Sequence, residues 1–174
     1  MRIKKFPVDD FLEIRKSKIS KNGVFALKKF SKGETIRFLT GILCTTEEMI
    51  ENVDSGKEAS ADPLQISDNK YLDLDELPRS FNHSCQPNAF IRGKNELVAL
   101  KNIKVGDEIT FDYSTTMNDN EKKIGKEFFW TCKCYCGAKK CRGIIDQFKT
   151  LSKAAQNFYL KNNLAPDFIL KRFE

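Results

Sequence analysis

The chain has 174 residues, 40% of them hydrophobic and 31% charged, with 14 phenylalanines, which is one domain's length and enough apolar mass for a core without disulfides in its place. No apolar run approaches the roughly 20 residues of a membrane-spanning helix, so no membrane role is expected. The net charge of +6, from 30 Lys and Arg against 24 Asp and Glu, describes a mildly basic solvated surface; aromatic residues do not alternate with Lys or Arg, so nucleic acid is not expected as a direct specific partner.

The start, Met1-Arg2-Ile3-Lys4-Lys5-Phe6-Pro7, is basic but has no apolar stretch behind it. A cytoplasmic protein is expected, with nuclear or host-directed destinations also open. Residues 12–15 alternate as a strand does, 20–23 form a turn signal and 24–27 resume a strand. A second turn at 30–34 leads into strand-like 35–39. Thr45-Thr46-Glu47-Glu48 predicts a short helix with Thr45 as N-cap and Glu48 in the capping-box position. Residues 70–74, 96–100 and 109–113 read as further strands, the last preceded by a turn at 105–108. In the tail, Leu151, Ala154, Ala155, Phe158 and Tyr159 have helical spacing, which Pro166 interrupts. Many short strands with few helices predict a mostly β fold.

Cysteine usage narrows the chemistry. Cys44 and Cys85 stand apart, Cys44 as a small core residue, whereas Cys132, Cys134, Cys136 and Cys141 fall within ten residues. Without a secretory signal, such crowding points to metal rather than disulfides. Cys134 and Cys136 point the same way on extended backbone, and Gly137 lets the chain turn so that Cys141 returns. A structural zinc site needs four ligands: the cluster supplies four if Cys132 joins, or three if a remote cysteine completes it. The chain's one histidine, His83, rules out two-histidine metal sites and histidine relays. A cysteine hydrolase with Cys85 as nucleophile and His83 as base is disfavoured, because such partners come from distant segments. A serine hydrolase on Ser84 lacks the Gly-x-Ser-x-Gly elbow.

Four segments, in order, resemble the signatures of SET-domain lysine methyltransferases. Asn82-His83-Ser84-Cys85 with Pro87-Asn88 is similar to the first, and Gly106-Asp107-Glu108-Ile109-Thr110-Phe111-Asp112-Tyr113 to the second. Cys134-Tyr135-Cys136-Gly137-Ala138-Lys139-Lys140-Cys141-Arg142-Gly143 resembles the post-SET element. Residues 17–26, with Lys21-Asn22-Gly23, resemble the opening Gly-x-Gly segment. The similarity spans about 11–146 and looks most like small bacterial-type SET proteins.

The resemblance implies a SET domain over 11–115 with an insert at about 45–70, a post-SET zinc element over 116–146 and a helical extension over 147–174. It implies transfer of methyl groups from S-adenosylmethionine to a lysine of a protein substrate, by a monomer. The cofactor would be held by Lys21, Asn22, Gly23, Phe25, Arg79, Asn82, His83 and Tyr113, with the Asn82 amide at the methionine end and His83 near the adenine. Tyr113 would sit at the transfer site and Phe111, two residues earlier on the same face, would influence how many methyls fit. Tyr71 would line the lysine channel. Zinc would take Cys85, Cys134, Cys136 and Cys141, leaving Cys132 spare. As plain structure, Asn82 caps a turn and Tyr113 is an ordinary strand tyrosine.

Two departures stand out. Lys21 replaces the first glycine of the opening motif, so its side chain either fills the cofactor's space or points away. Phe38-Leu39-Thr40 lacks the Glu-Tyr often found before Gly41. The rival function is a catalytically weak, SET-like zinc protein acting as a protein or nucleic-acid interaction module.

Overall fold

Among the described residues, the short strands form three small sheets and a two-stranded ribbon. The structure, a computed structural model, describes residues 9–57, 62–119 and 130–173. β1 (Leu12–Lys16) and β2 (Asn22–Ala26) form an antiparallel hairpin with Leu12 opposite Ala26 and Lys16 opposite Asn22. β2 then pairs with β10 (Glu108–Phe111), which runs parallel to β7 (Asn82–His83). A second sheet orders β3 (Thr35–Phe38), β9 (Glu96–Ala99) and β8 (Ala89–Arg92); a third orders β4 (Gly41–Thr45), β6 (Lys70–Leu74) and β5 (Pro63–Ser67). β11 (Cys132–Lys133) and β12 (Ile144–Ile145) make the ribbon.

The inward faces of these strands meet in one core. Val24, Ala26, Leu39, Ile91, Leu97 and Ile109 are fully buried in it, beside Phe30 and Phe81. Gly106 sits at φ 86 in the turn before β10, a left-handed conformation that glycine adopts without steric cost. The predicted helix is α1 (Thr46–Asp54), and its capping box is formed: the Thr45 hydroxyl accepts from the Glu48 N–H and the Glu48 carboxylate from the Thr45 N–H. The tail gives α3 (Lys153–Lys161) and, after Pro166, α4 (Asp167–Phe173). Phe148, Leu151, Tyr159, Leu164, Ala165 and Ile169 form a second core there, against Phe90 and Leu100.

Several elements differ from the sequence-based expectation. The strand expected to reach residue 113 stops at Phe111, because the Asp112 side chain accepts the Ser114 N–H and starts a 3-10 turn over Tyr113–Thr116. Tyr113 is therefore a turn residue and not a strand tyrosine. β4, β5, β8 and the four-residue α2 (Glu76–Arg79) were not expected. β5 opens with Pro63, tolerable only because β5 is an edge strand, and α2 carries Pro78, which ordinarily argues against helix.

Candidate functional site

Parallel pairing of β7 with β10 sets Asn82 beside Thr110 and His83 beside Phe111, so two distant sequence segments become neighbours. Asn88 fixes that junction: its side-chain amide donates to the Glu108 carbonyl and accepts the Thr110 N–H, both at 2.8 Å. Tyr113 emerges where β10 ends. Its main-chain N–H donates to His83 Nδ1 at 3.1 Å, and its hydroxyl donates to the Phe81 carbonyl at 2.5 Å. The ring centroid of Phe111 is 4.8 Å from that of Tyr113, and Trp130 closes in at 6.4 Å. Burial and the Asp62 carboxylate push the Tyr113 phenol above the ordinary tyrosine range, so it stays protonated.

Tyr113 faces a cavity walled by Leu64, Phe81, Phe111, Met117 and Trp130, with Asp62 and Arg79 as its charged groups among the described residues. Arg79 is held by the Leu74 carbonyl, with its guanidinium 3.6 Å from Asp62 and 3.3 Å from Asp73. Tyr113 and Phe81, whose oxygens are hydrogen-bonded to each other, both line this aromatic-walled space, and fixed dipoles of that kind can stabilise positive charge.

The cysteines converge from two directions. Cys85 Sγ lies 3.7 Å from Cys134 Sγ, and Cys136 Sγ accepts the Cys85 N–H at 3.5 Å. The Cys141 thiol is in hydrogen-bonding reach of Cys134 and Cys136. A disulfide would need about 2.05 Å, whereas tetrahedral Zn–S bonds of about 2.3 Å put sulfurs about 3.8 Å apart. Main-chain N–H groups of Arg142 and Gly143 also donate to the sulfurs of Cys85 and Cys141. Burial opposes ionisation of Cys136, yet the N–H groups of Cys85 and Ala138 outweigh it and bring that thiol to about 7. Burial raises the Cys85 and Cys134 thiols instead, and a metal ion would favour their thiolate forms, so this cysteine cluster could hold zinc.

The ligand atoms of His83, Cys85, Cys134 and Cys136 also all lie within 4.8 Å of one another. His83 is nevertheless a poor ligand. Its Nδ1 accepts from Tyr113, which leaves the proton of the neutral ring on Nε2, 3.3 Å from Cys85 Sγ. That nitrogen donates to the sulfur and has no lone pair for a metal. Burial, outweighing the pull of Asp112, lowers the ring to about 4 and keeps it neutral.

The family model for the SET domain matches residues 21–114, more than half of the chain. The chain belongs to the SET-domain family. It is 28% identical over 145 residues to human histone-lysine N-methyltransferase 2B, covering 76% of this chain and 5% of that protein. It is 28% identical over 149 residues to the Drosophila virilis histone-lysine N-methyltransferase trithorax, covering 79% of this chain and 4% of that protein. The chain thus spans about one twentieth of the length of these relatives. Among solved structures, the methyltransferase domain of human SETMAR superposes with a TM-score of 0.61 at 20% identity, covering 79% of this chain and 58% of that one. KRYPTONITE, in complex with mCHH DNA, an H3(1-15) peptide and SAH, gives 0.57 at 22% identity, covering 78% of this chain and 29% of that one. The mostly β fold is that of SET domains.

The SET fold brings Asn82, His83, Phe111 and Tyr113 together, and adds Arg79 at the cavity wall. Around the opening segment, Asn82 Nδ2 donates to the Asn22 carbonyl and to Glu108 Oε1, both at 2.7 Å. These bonds span 60 and 26 residues and fix strands together, so Asn82 is not a local turn cap. A Cβ on Gly23 would meet the end of the Glu108 side chain, Oε1, at 2.2 Å, so alanine there would require Glu108 to shift. Lys21 is exposed, and the Phe25 ring lies 3.9 Å beneath the Arg15 guanidinium. Tyr71 does not line the cavity; its hydroxyl donates to Asp119 at 2.5 Å, because β6 turns it toward the segment after the 3-10 turn. His83 has both ring nitrogens engaged inside the protein, Nδ1 by the Tyr113 N–H and Nε2 by Cys85 Sγ. Sequence reasoning missed Trp130, whose signal was its place as the chain's one tryptophan, two residues before Cys132.

Proposed function

We propose that the chain is an S-adenosylmethionine-dependent protein-lysine methyltransferase with one structural zinc. The observation that carries this reading is the Tyr113 hydroxyl, held on the Phe81 carbonyl in an aromatic-walled cavity of a SET fold. The names of the relatives, histone-lysine N-methyltransferases, and the H3 peptide and SAH in the KRYPTONITE complex support it.

S-adenosylmethionine, when bound, supplies an electrophilic methyl group on a sulfonium. Asn22, Gly23, Asn82, Arg79 and Tyr113 are the residues that would hold it. The chain's own contribution is alignment and electrostatics. Leu64, Phe111 and Trp130 exclude water and restrict the lysine side chain to one approach, which converts an encounter into a positioned reaction. The oxygens of Tyr113 and Phe81 offer negative potential to positive charge in the cavity. No residue lining the cavity among the described ones is suited as a base for an ammonium: Tyr113 stays protonated and Asp62 faces Arg79. The lysine therefore sheds its proton to solvent before it reacts. The zinc element would close over the first signature through Cys85. We place the protein in the cytoplasm and acting as a monomer.

Methyl-labelled cofactor added to the purified chain and a proteome lysate should put label on lysine side chains, seen by mass spectrometry of the labelled proteins. A chain that neither binds the cofactor by calorimetry nor labels any lysine would favour the interaction module instead.

A further inference from the structure

Asp112 lies between Phe111 and Tyr113 and is 1% exposed. Its carboxylate is fully occupied. Oδ1 accepts the Ser114 N–H at 3.1 Å and Arg142 Nη2 at 2.6 Å; Oδ2 accepts Arg142 Nη1 at 2.8 Å and the Tyr159 hydroxyl at 2.7 Å. A carboxylate has about four lone-pair positions, and here four donors come from three parts of the chain. Ser114 belongs to the catalytic turn, Arg142 to the cysteine-rich element and Tyr159 to tail helix α3. Arg142 continues the connection, since its main-chain N–H donates to Cys85 Sγ at 3.4 Å. It also reaches the Ser114 hydroxyl at 3.1 Å.

We propose that Tyr159 is a positioning residue, which seats the cysteine-rich element on the catalytic turn through Asp112 and Arg142. The tail would thereby take part in building the site, and not only extend the fold. The ring and the hydroxyl of Tyr159 have separable tasks. The ring packs in the tail core with Phe148, Leu151 and Ile169, a task phenylalanine performs equally. The hydroxyl leaves that core and satisfies a buried carboxylate against the catalytic turn. Without it, one acceptor of Asp112 is unmet, and a hydrogen bond to a charged buried group is worth far more than one in water. The Asp112 carboxylate then has less reason to stay where it grips Arg142, and Arg142 less reason to hold the loop that carries Cys141 and covers Cys85. The activity arm of this inference rests on the methyltransferase reading; the metal arm does not.

The test uses the full chain loaded with zinc and compares Tyr159→Phe with Leu151→Ala, which weakens the tail core without touching Asp112. Three quantities are read: the rate of zinc release to a chromogenic chelator, KM for S-adenosylmethionine against kcat, and the melting temperature. Tyr159→Phe should release zinc about tenfold faster and raise KM for the cofactor, whereas Leu151→Ala should lower the melting temperature and leave zinc release at the wild-type rate. Wild-type zinc release and KM in Tyr159→Phe would overturn the proposal. So would equal acceleration by Leu151→Ala, since the effect would then be tail stability alone. If the wild type transfers no methyl groups while the zinc-release contrast holds, the methyltransferase reading falls and the positioning role of Tyr159 stands.

Discussion

Tyr113 and Phe81 are joined by a 2.5 Å hydrogen bond from a phenol to a main-chain carbonyl, across 32 residues of sequence. The bond holds the phenol of a cavity-lining residue, and burial keeps it protonated; on the methyltransferase reading its oxygen aids transfer without changing protonation. Tyr113→Phe should therefore lower turnover by at least about tenfold, or roughly 1.4 kcal/mol of transition-state stabilisation, while calorimetry shows little change in cofactor binding. Wild-type turnover on a verified protein substrate would remove Tyr113 from the site.

The pH profile follows from the absence of a suited base among the described residues that line the cavity. A free lysine amine has a pKa of about 10.4, so the reactive neutral form grows as pH rises, and the rate should climb well above pH 8. His83, lowered to about 4 by burial, is already neutral throughout that range. Initial rates from pH 6 to 9 should show no inflection near the roughly 6.5 of a free histidine. An inflection there that disappears in a His83 variant would mean that the imidazole takes part.

Phe111 is 4% exposed and its ring lies 4.8 Å from Tyr113. Without a hydroxyl, it leaves the amine free to rotate between transfers, and di- or trimethyl-lysine is the expected product. Phe111→Tyr adds a donor and acceptor that holds the amine directly or through water. Mass spectra should then shift toward monomethyl-lysine; identical product distributions would refute the role.

The four sulfurs predict about one zinc per chain by elemental analysis. Cys85→Ser should lose the metal together with activity, because the three remaining thiolates lack a fourth ligand. Cys132, paired in β11 with Ile145, should be replaceable by Ser with the metal retained. The opposite pattern would mean that the ligand set is wrong.

Two glycines should respond differently to alanine. A Cβ on Gly41 would lie 2.1 Å from the Asp73 main-chain oxygen, and backbone cannot yield without breaking the β4–β6 pairing. A Cβ on Gly23 would meet the end of the flexible Glu108 side chain at 2.2 Å. Overpacking costs roughly 1–3 kcal/mol. Denaturant unfolding should put Gly41→Ala at the upper end of that range and Gly23→Ala at the lower. Gly23→Ala should weaken cofactor binding more, since Glu108 holds Asn82. Equal unfolding costs would contradict this ranking.

Local signals determined a good part of this protein by themselves. The capping box at Thr45 and Glu48, the Gly106 turn and the helical spacing of Ala154 to Tyr159 are short-range chemistry, decided within a few residues, and they fold as read, whereas Leu151 ends the 3-10 turn before α3. The ordered motifs likewise marked Asn82, Phe111, Tyr113 and the cysteines. What the sequence left open depended on partners far away along the chain. Cys85 joins Cys134 across 49 residues, and Asp112 gathers Arg142 and Tyr159 across 30 and 47. Tyr71 reads as a channel residue from its motif context, yet the pairing of β6 with β4 and β5 aims it at Asp119. The partners of the His83 ring, the Tyr113 N–H across 30 residues and Cys85 Sγ, likewise depend on the pairing of β7 with β10. A side chain's direction is set by which strands pair and in what register, and a buried polar group takes whichever partner that pairing supplies.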